Sequence, residues 1–162
     1  MLFIKKREKI DIPDGLKLEL ENIKVNPIKY SLSYADIDNA TEEINDTKLK
    51  SSFKEVLFNF IDNKGLTDSF VYKKAKVDKR TFSKIRTGSS KYVSRNTAIC
   101  LGLALELNHD DFDKLMDANL IHLGDNTRFD VAIKWCIKNK IYDIDDVNDI
   151  LYACDLPLLT KY

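Results

Sequence analysis

A chain of 162 residues is long enough for one ordinary domain, or one domain with an extension; with 44% hydrophobic and 32% charged residues it has the balance of a globular protein with a core. The 26 basic and 26 acidic residues cancel, so total charge points to neither nucleic acid nor membrane. No stretch approaches the roughly 20 apolar residues of a membrane helix, and the opening MLFIKKREKI lacks the apolar segment of a secretory signal, so a soluble, cytoplasmic protein is expected.

Residues 1–35 read as an extension of short strands. Ile10, Ile12, Leu16, Leu18 and Leu20 alternate with charged residues around the turn Pro13-Asp14-Gly15, and Ile28 to Tyr34 offers a further strand. From residue 36 onward the period becomes helical, and 36–162 is expected to be one mainly α domain. Phe53, Val56, Leu57, Phe60 and Ile61 recur at helical spacing, and Gly65 follows as the stop. Thr67 is placed to cap a second helix through Lys74, with Asp68 in its first turn. Asp78 caps a third, which Gly88 terminates. Ser94 opens the very apolar segment RNTAICLGLALEL, expected to form the central core helix. Asp110 to Leu120 forms the next, its acidic run after His109 reading as a helix start and not as a metal site. Thr127 to Lys138 and a segment from about Asp145 to before Pro157 complete the series. Trp135, Tyr142 and Tyr152 read as core or interface aromatics. Cys100, Cys136 and Cys154, each in an apolar run and with no CxxC spacing, read as buried, reduced thiols.

Charge is unevenly distributed along this neutral chain. Residues 66–95 hold nine basic and two acidic side chains, whereas 96–162 hold six and twelve. The basic stretch falls on Leu66-Thr67-x4-Tyr72-x2-Ala75-x-Val77-Asp78-x2-Thr81-Phe82-Ser83-Lys84-Ile85-x2-Gly88. Here a two-turn helix, a tight turn and a crossing second helix share Val71, Ala75, Val77, Phe82 and Ile85 as their core. The segment 66–88 resembles, without gaps, the phage-repressor/Cro-like (XRE) helix-turn-helix family, and 94–107 and 110–118 are similar to that family's remaining helices. The longer run 51–159, through VYKKAKVDKRTFSKIR, NTAICLGLALEL and IYDIDDVNDILYACDLPLL, also resembles a C-terminal module of modular Gram-positive bacterial proteins, found behind macro or von Willebrand A-type domains. The chain departs from the repressor pattern at four places. Tyr72 stands where a small residue is usual and Lys76 where glycine is usual. Asp68 replaces a first-helix glutamine that contacts phosphate and bases in several members, and Arg86 replaces a glutamate.

The resemblance implies a regulatory protein, bacterial or phage, that reads duplex DNA with its second helix, about residues 78–87. Lys79, Arg80, Ser83 and Lys84 on the outer face of that helix are the base-reading candidates. Lys73, Lys74, Arg86, Thr87, Lys91 and Arg95 are the phosphate candidates. A homodimer would suit a palindromic site. Any single lysine here is ordinarily a solvated charge; it is the grouping that carries the reading. The alternative is a non-catalytic adaptor, phage- or defence-related, that uses the same fold to bind a protein. No catalytic constellation, phosphate loop, metal set or cofactor motif is present, so neither enzymatic activity nor a cofactor is expected. What discriminates DNA from protein is whether Lys79, Arg80 and Lys84 project outward or are covered by the acidic C-terminal helices.

Overall fold

A computed structural model describes residues 33–160, and among these the chain is entirely helical, with eight α-helices and no strand. They are α1 (Tyr34–Asp46), α2 (Phe53–Asn63), α3 (Asp68–Lys74), α4 (Lys79–Thr87), α5 (Arg95–Ala104), α6 (His109–Ala118), α7 (Arg128–Lys138) and α8 (Ile144–Ala153). The strands expected within 1–35 lie outside the described residues as far as 32; Tyr34, at the end of the last of them, is the first residue of α1. The chain divides into two compact units between Thr47 and Lys48. The first contains α1, an acidic helix with no buried residue; the second contains α2 to α8. Among the described residues, no helix is long and apolar enough to cross a membrane.

The sequence fixes where each helix starts by chemistry that is the same eight times. Ser33, Ser52, Thr67, Asp78, Ser94, Asn108, Thr127 and Asp143 each sit in extended backbone and accept a hydrogen bond from an N–H of the first turn. Each thereby satisfies a donor that the helix itself leaves open. At Ser33 and Ser52 the carboxylate three residues on, Asp36 and Glu55, reaches back to the cap N–H and closes a capping box.

The ends repeat as well. Gly65, Lys76, Glu106, Leu120, Lys140 and Asp155 all adopt positive φ, between 49° and 63°. The residue after each is apolar, and its N–H donates to a carbonyl five residues back. Leu66 bonds Ile61, Val77 bonds Tyr72, Leu107 bonds Gly102, Ile121 bonds Met116, Ile141 bonds Cys136 and Leu156 bonds Leu151, at 2.9–3.3 Å. These are Schellman closures, in which a left-handed residue ends the helix and the next residue turns back onto it. Only one of the six left-handed positions is glycine. In three cases the residue after that apolar one is already the following helix cap, so that Gly65-Leu66-Thr67, Lys76-Val77-Asp78 and Glu106-Leu107-Asn108 form complete three-residue joints.

The core of the second unit is organised around α5. Ala98, Ile99, Cys100, Leu101, Gly102, Leu103 and Ala104 are all buried, and α5 touches α3, α6 and α8. Burial of Leu101, Leu103 and their neighbours supplies the main driving force, about 1.5–3 kcal/mol per large aliphatic side chain. The helix is shorter than its apolar run, ending at Ala104, but Leu105 and Leu107 remain buried in the turn that follows. Gly102 is a contact residue: a Cβ placed on it would lie 2.6 Å from the Phe112 ring on α6. α2 packs on α6, and α7 packs on α8.

Of the three aromatics expected in the core or at an interface, Trp135 and Tyr152 lie outside the core, being 51% and 77% exposed. The inward face of α7 is taken by Ile133, Cys136 and Ile137, which leaves Trp135 on the outer side. Tyr142 does pack against the core. Cys100 and Cys136 are buried free thiols, and burial pushes them up to about 12 and about 11. Cys154, at the C-terminal end of α8, is only half-buried.

Candidate functional site

α3 and α4 form the unit that carries the basic stretch. Val71 and Ala75 from the first helix and Phe82 and Ile85 from the second are buried, with Val77 in the turn packed against them. Phe82 is held on two sides: Phe58 of α2 meets it edge-on at 5.7 Å, and Tyr72 lies tilted against it at 5.7 Å. A tyrosine at position 72 is thus accommodated by ring packing. Lys76 takes the left-handed conformation, φ 53°, that a glycine would adopt more easily, so the turn keeps its shape without one.

Asp68 and Arg86 are two halves of one contact. The Arg86 Nε donates to Asp68 Oδ2 at 2.9 Å and its second nitrogen donates to Oδ1, a two-pronged ion pair between α3 and α4. The same guanidinium lies 3.6 Å above the Phe58 ring. Two residues that look unrelated in sequence together clamp the helix pair to α2. Arg86 is therefore occupied in holding the fold.

The remaining candidates separate into two groups by what they touch. Lys74 pairs with Glu106, and Arg95 pairs with the buried Asp130 of α7. In the turn, Lys76 pairs with Asp145 of α8. The acidic second half of the chain thus reaches the basic stretch at its margins. It does not reach the middle. Lys79, Arg80, Ser83 and Lys84 are exposed on one face of α4. Among the described residues, no ion pair engages Lys79, Arg80 or Lys84. Lys73 and Lys91 are likewise exposed and without an ion pair there. Thr87 is exposed, its hydroxyl bonded to the Lys84 carbonyl at 3.2 Å and shared with Ser89 at 2.9 Å.

The backbone around this face is firmly set. Asp78 caps α4, accepting from the Thr81 N–H at 2.9 Å and from the Thr81 hydroxyl, and those bonds hold its carboxyl below the ordinary value of 3.8. Gly88 closes the helix at φ 80°. The loop beyond it, which carries Lys91, is pinned by the buried Asn119. Its side-chain amide exchanges two 2.9 Å hydrogen bonds with the N–H and C=O of Val93. At the other acidic run, Asp110 and Asp111 lie in the first turn of α6, and Asn108 caps Asp111 at 3.0 Å. Among the described residues, no group of three or more His, Cys, Asp or Glu is placed to hold a metal ion.

Comparison with family models, with curated proteins and with solved structures gave no match, so neither family nor function is inherited from a relative.

Proposed function

We propose that this chain is a non-enzymatic regulatory protein of the phage-repressor helix-turn-helix type that binds duplex DNA with α4 in the major groove. The observation that carries the reading is the outer face of α4. Lys79, Arg80, Ser83 and Lys84 project together from a helix whose opposite side is fixed by Phe82 and Ile85, and no described carboxylate neutralises them. Lysine and arginine donate to guanine edges and serine to either base type. Lys73, Thr87 and Lys91 flank that face and suit phosphate contacts. Lys74, Arg86 and Arg95 serve the fold through their ion pairs and contribute less to binding. With five exposed cations of this kind, log affinity should fall with log salt at a slope of about −4 to −5. A homodimer on a palindromic site suits the reading.

The test is titration into labelled random-sequence duplex DNA at about 50 and 200 mM salt, the range over which counterion release is steep. The native chain is expected to bind at the lower salt and weaken sharply at the higher. Arg80→Glu/Lys84→Glu should abolish binding. Absence of binding at low salt would sink this reading.

A second reading, a protein-interaction adaptor, is favoured by α1. That helix carries five carboxylates and no basic residue, buries nothing, and leaves Tyr34, Ile37 and Ile44 exposed. An amphipathic helix with an uncovered apolar side suits the groove of a protein partner. Truncation before Lys48 separates the two readings: DNA binding should survive it, and adaptor binding should not.

A further inference from the structure

Between α7 and α8 the second unit contains a groove of about 560 Å³, remote in sequence from the α4 face. Its walls are Val131, Ala132, Trp135, Ile150, Cys154 and Leu156. This volume lies within the roughly 300–1,000 Å³ usual for small-molecule sites, and such sites combine an apolar lining with a few polar groups at one end. That is the arrangement here. Trp135 and Val131, half exposed, are apolar surface that the fold leaves uncovered on α7. Asp125, Asn126, Thr127 and Arg128 form the polar end, where α7 begins.

The charges at that end select the ligand. Asp125 is paired with Lys134, so both of those charges are already answered. Arg128 is exposed at the groove mouth, and among the described residues no ion pair engages it. It sits in the first turn of α7, where the helix itself favours negative charge. One cation remains at the end of an apolar trough. We infer that this groove binds a small amphipathic organic acid, its acyl or aromatic body lying against Trp135 and its carboxylate meeting Arg128. This site is independent of the DNA reading and is tested without DNA.

The protein supplies its own reporters. Trp135 is the single tryptophan, and Cys154 is the one cysteine that is not buried. Decanoate, below its micelle concentration, should change Trp135 fluorescence saturably and slow maleimide modification of Cys154. Decyltrimethylammonium and decanol, which carry the same chain with the opposite charge or none, should bind at least tenfold more weakly. Arg128→Glu should weaken decanoate at least tenfold with helical circular dichroism unchanged, since Arg128 is exposed. Val131→Glu, which puts a carboxylate into the trough, should do the same by repulsion. Equal responses to all three chains, or indifference to Arg128→Glu, would overturn the assignment of an acid. No saturation with any of them would overturn the small-molecule site and leave the groove to a protein partner.

Discussion

α4 and α5 follow one another in the chain and are nearly equal in length, nine and ten residues, yet they are made for opposite ends. α5 buries seven residues and is surrounded by other helices; α4 buries only Phe82 and Ile85. Both start on a capping side chain, so local helix signals do not separate them. What separates them is the width of the apolar face. A helix with apolar residues all round must sit inside, and one with a narrow apolar stripe has most of its surface left over. In α4 that surplus is basic, which gives the chain a local charge its total does not have.

This contrast can be broken or sharpened by substitution. The largest effect on folding is expected from Leu101→Ala in α5, which removes a fully buried side chain and should cost about 2–5 kcal/mol in chemical denaturation. Gly102→Ala should be smaller. The new methyl would overlap the Phe112 ring, at a cost of about 1–3 kcal/mol, partly offset by the roughly 1 kcal/mol that alanine gains over glycine in a helix. A stabilised Gly102→Ala protein would mean that Phe112 gives way and the α5–α6 contact is looser than described. Asp78→Ala should lower the melting temperature modestly by uncapping α4.

Its pH dependence follows from the sign of the shift. The Asp78 carboxyl is depressed in the folded chain, so its contribution is present above the ordinary value of 3.8 and is lost as pH falls through the lower folded value. The gap between the native and Asp78→Ala proteins should therefore close in acid; a gap constant down to the most acidic pH at which both remain folded would contradict the cap. The smallest effect on folding, within about 0.5 kcal/mol, is expected from Arg80→Glu/Lys84→Glu, because both side chains are exposed and unpaired among the described residues. That same pair should have the largest effect on DNA binding. If it unfolds the protein, the outer face of α4 is structural after all.

Much of the helical order was legible because its signals are local. Thr67, Asp78 and Ser94 announce themselves as caps by side-chain oxygens placed before apolar periodicity, and Gly65 and Gly88 announce stops. The left-handed stops at Lys76, Glu106, Leu120, Lys140 and Asp155 were not legible, because nothing in those side chains demands positive φ; the following apolar residue does, by folding back onto the helix. The basic face of α4 could be read from its period. Which of the ten candidate residues it would keep could not. The pairings Asp68–Arg86, Lys74–Glu106 and Arg95–Asp130 join residues 18, 32 and 35 positions apart, and only the fold brings them together. Whether Trp135 lies in the core or on the surface was open for a related reason: its size suits either, and α7 fills its inner side with Ile133, Cys136 and Ile137.

The three-residue joints also determine where this protein can change in length. Lys76-Val77-Asp78 ends one helix, plugs the space behind it and starts the next, with no residue to spare. One inserted residue would rotate the following helix by about 100° about its axis, at 3.6 residues per turn. In α4 that would carry Lys84 toward the position of Ile85. Insertions are therefore admissible between Thr47 and Ser51 and between Ser89 and Tyr92, where the chain crosses between helices without a joint, but not between His122 and Asn126, where Leu123 is buried and the Gly124 N–H donates to Asp130. A loop library at those two places should be tolerated, and the same library in the joints should not, which makes the joints the rulers that keep the face of α4 in register with its core.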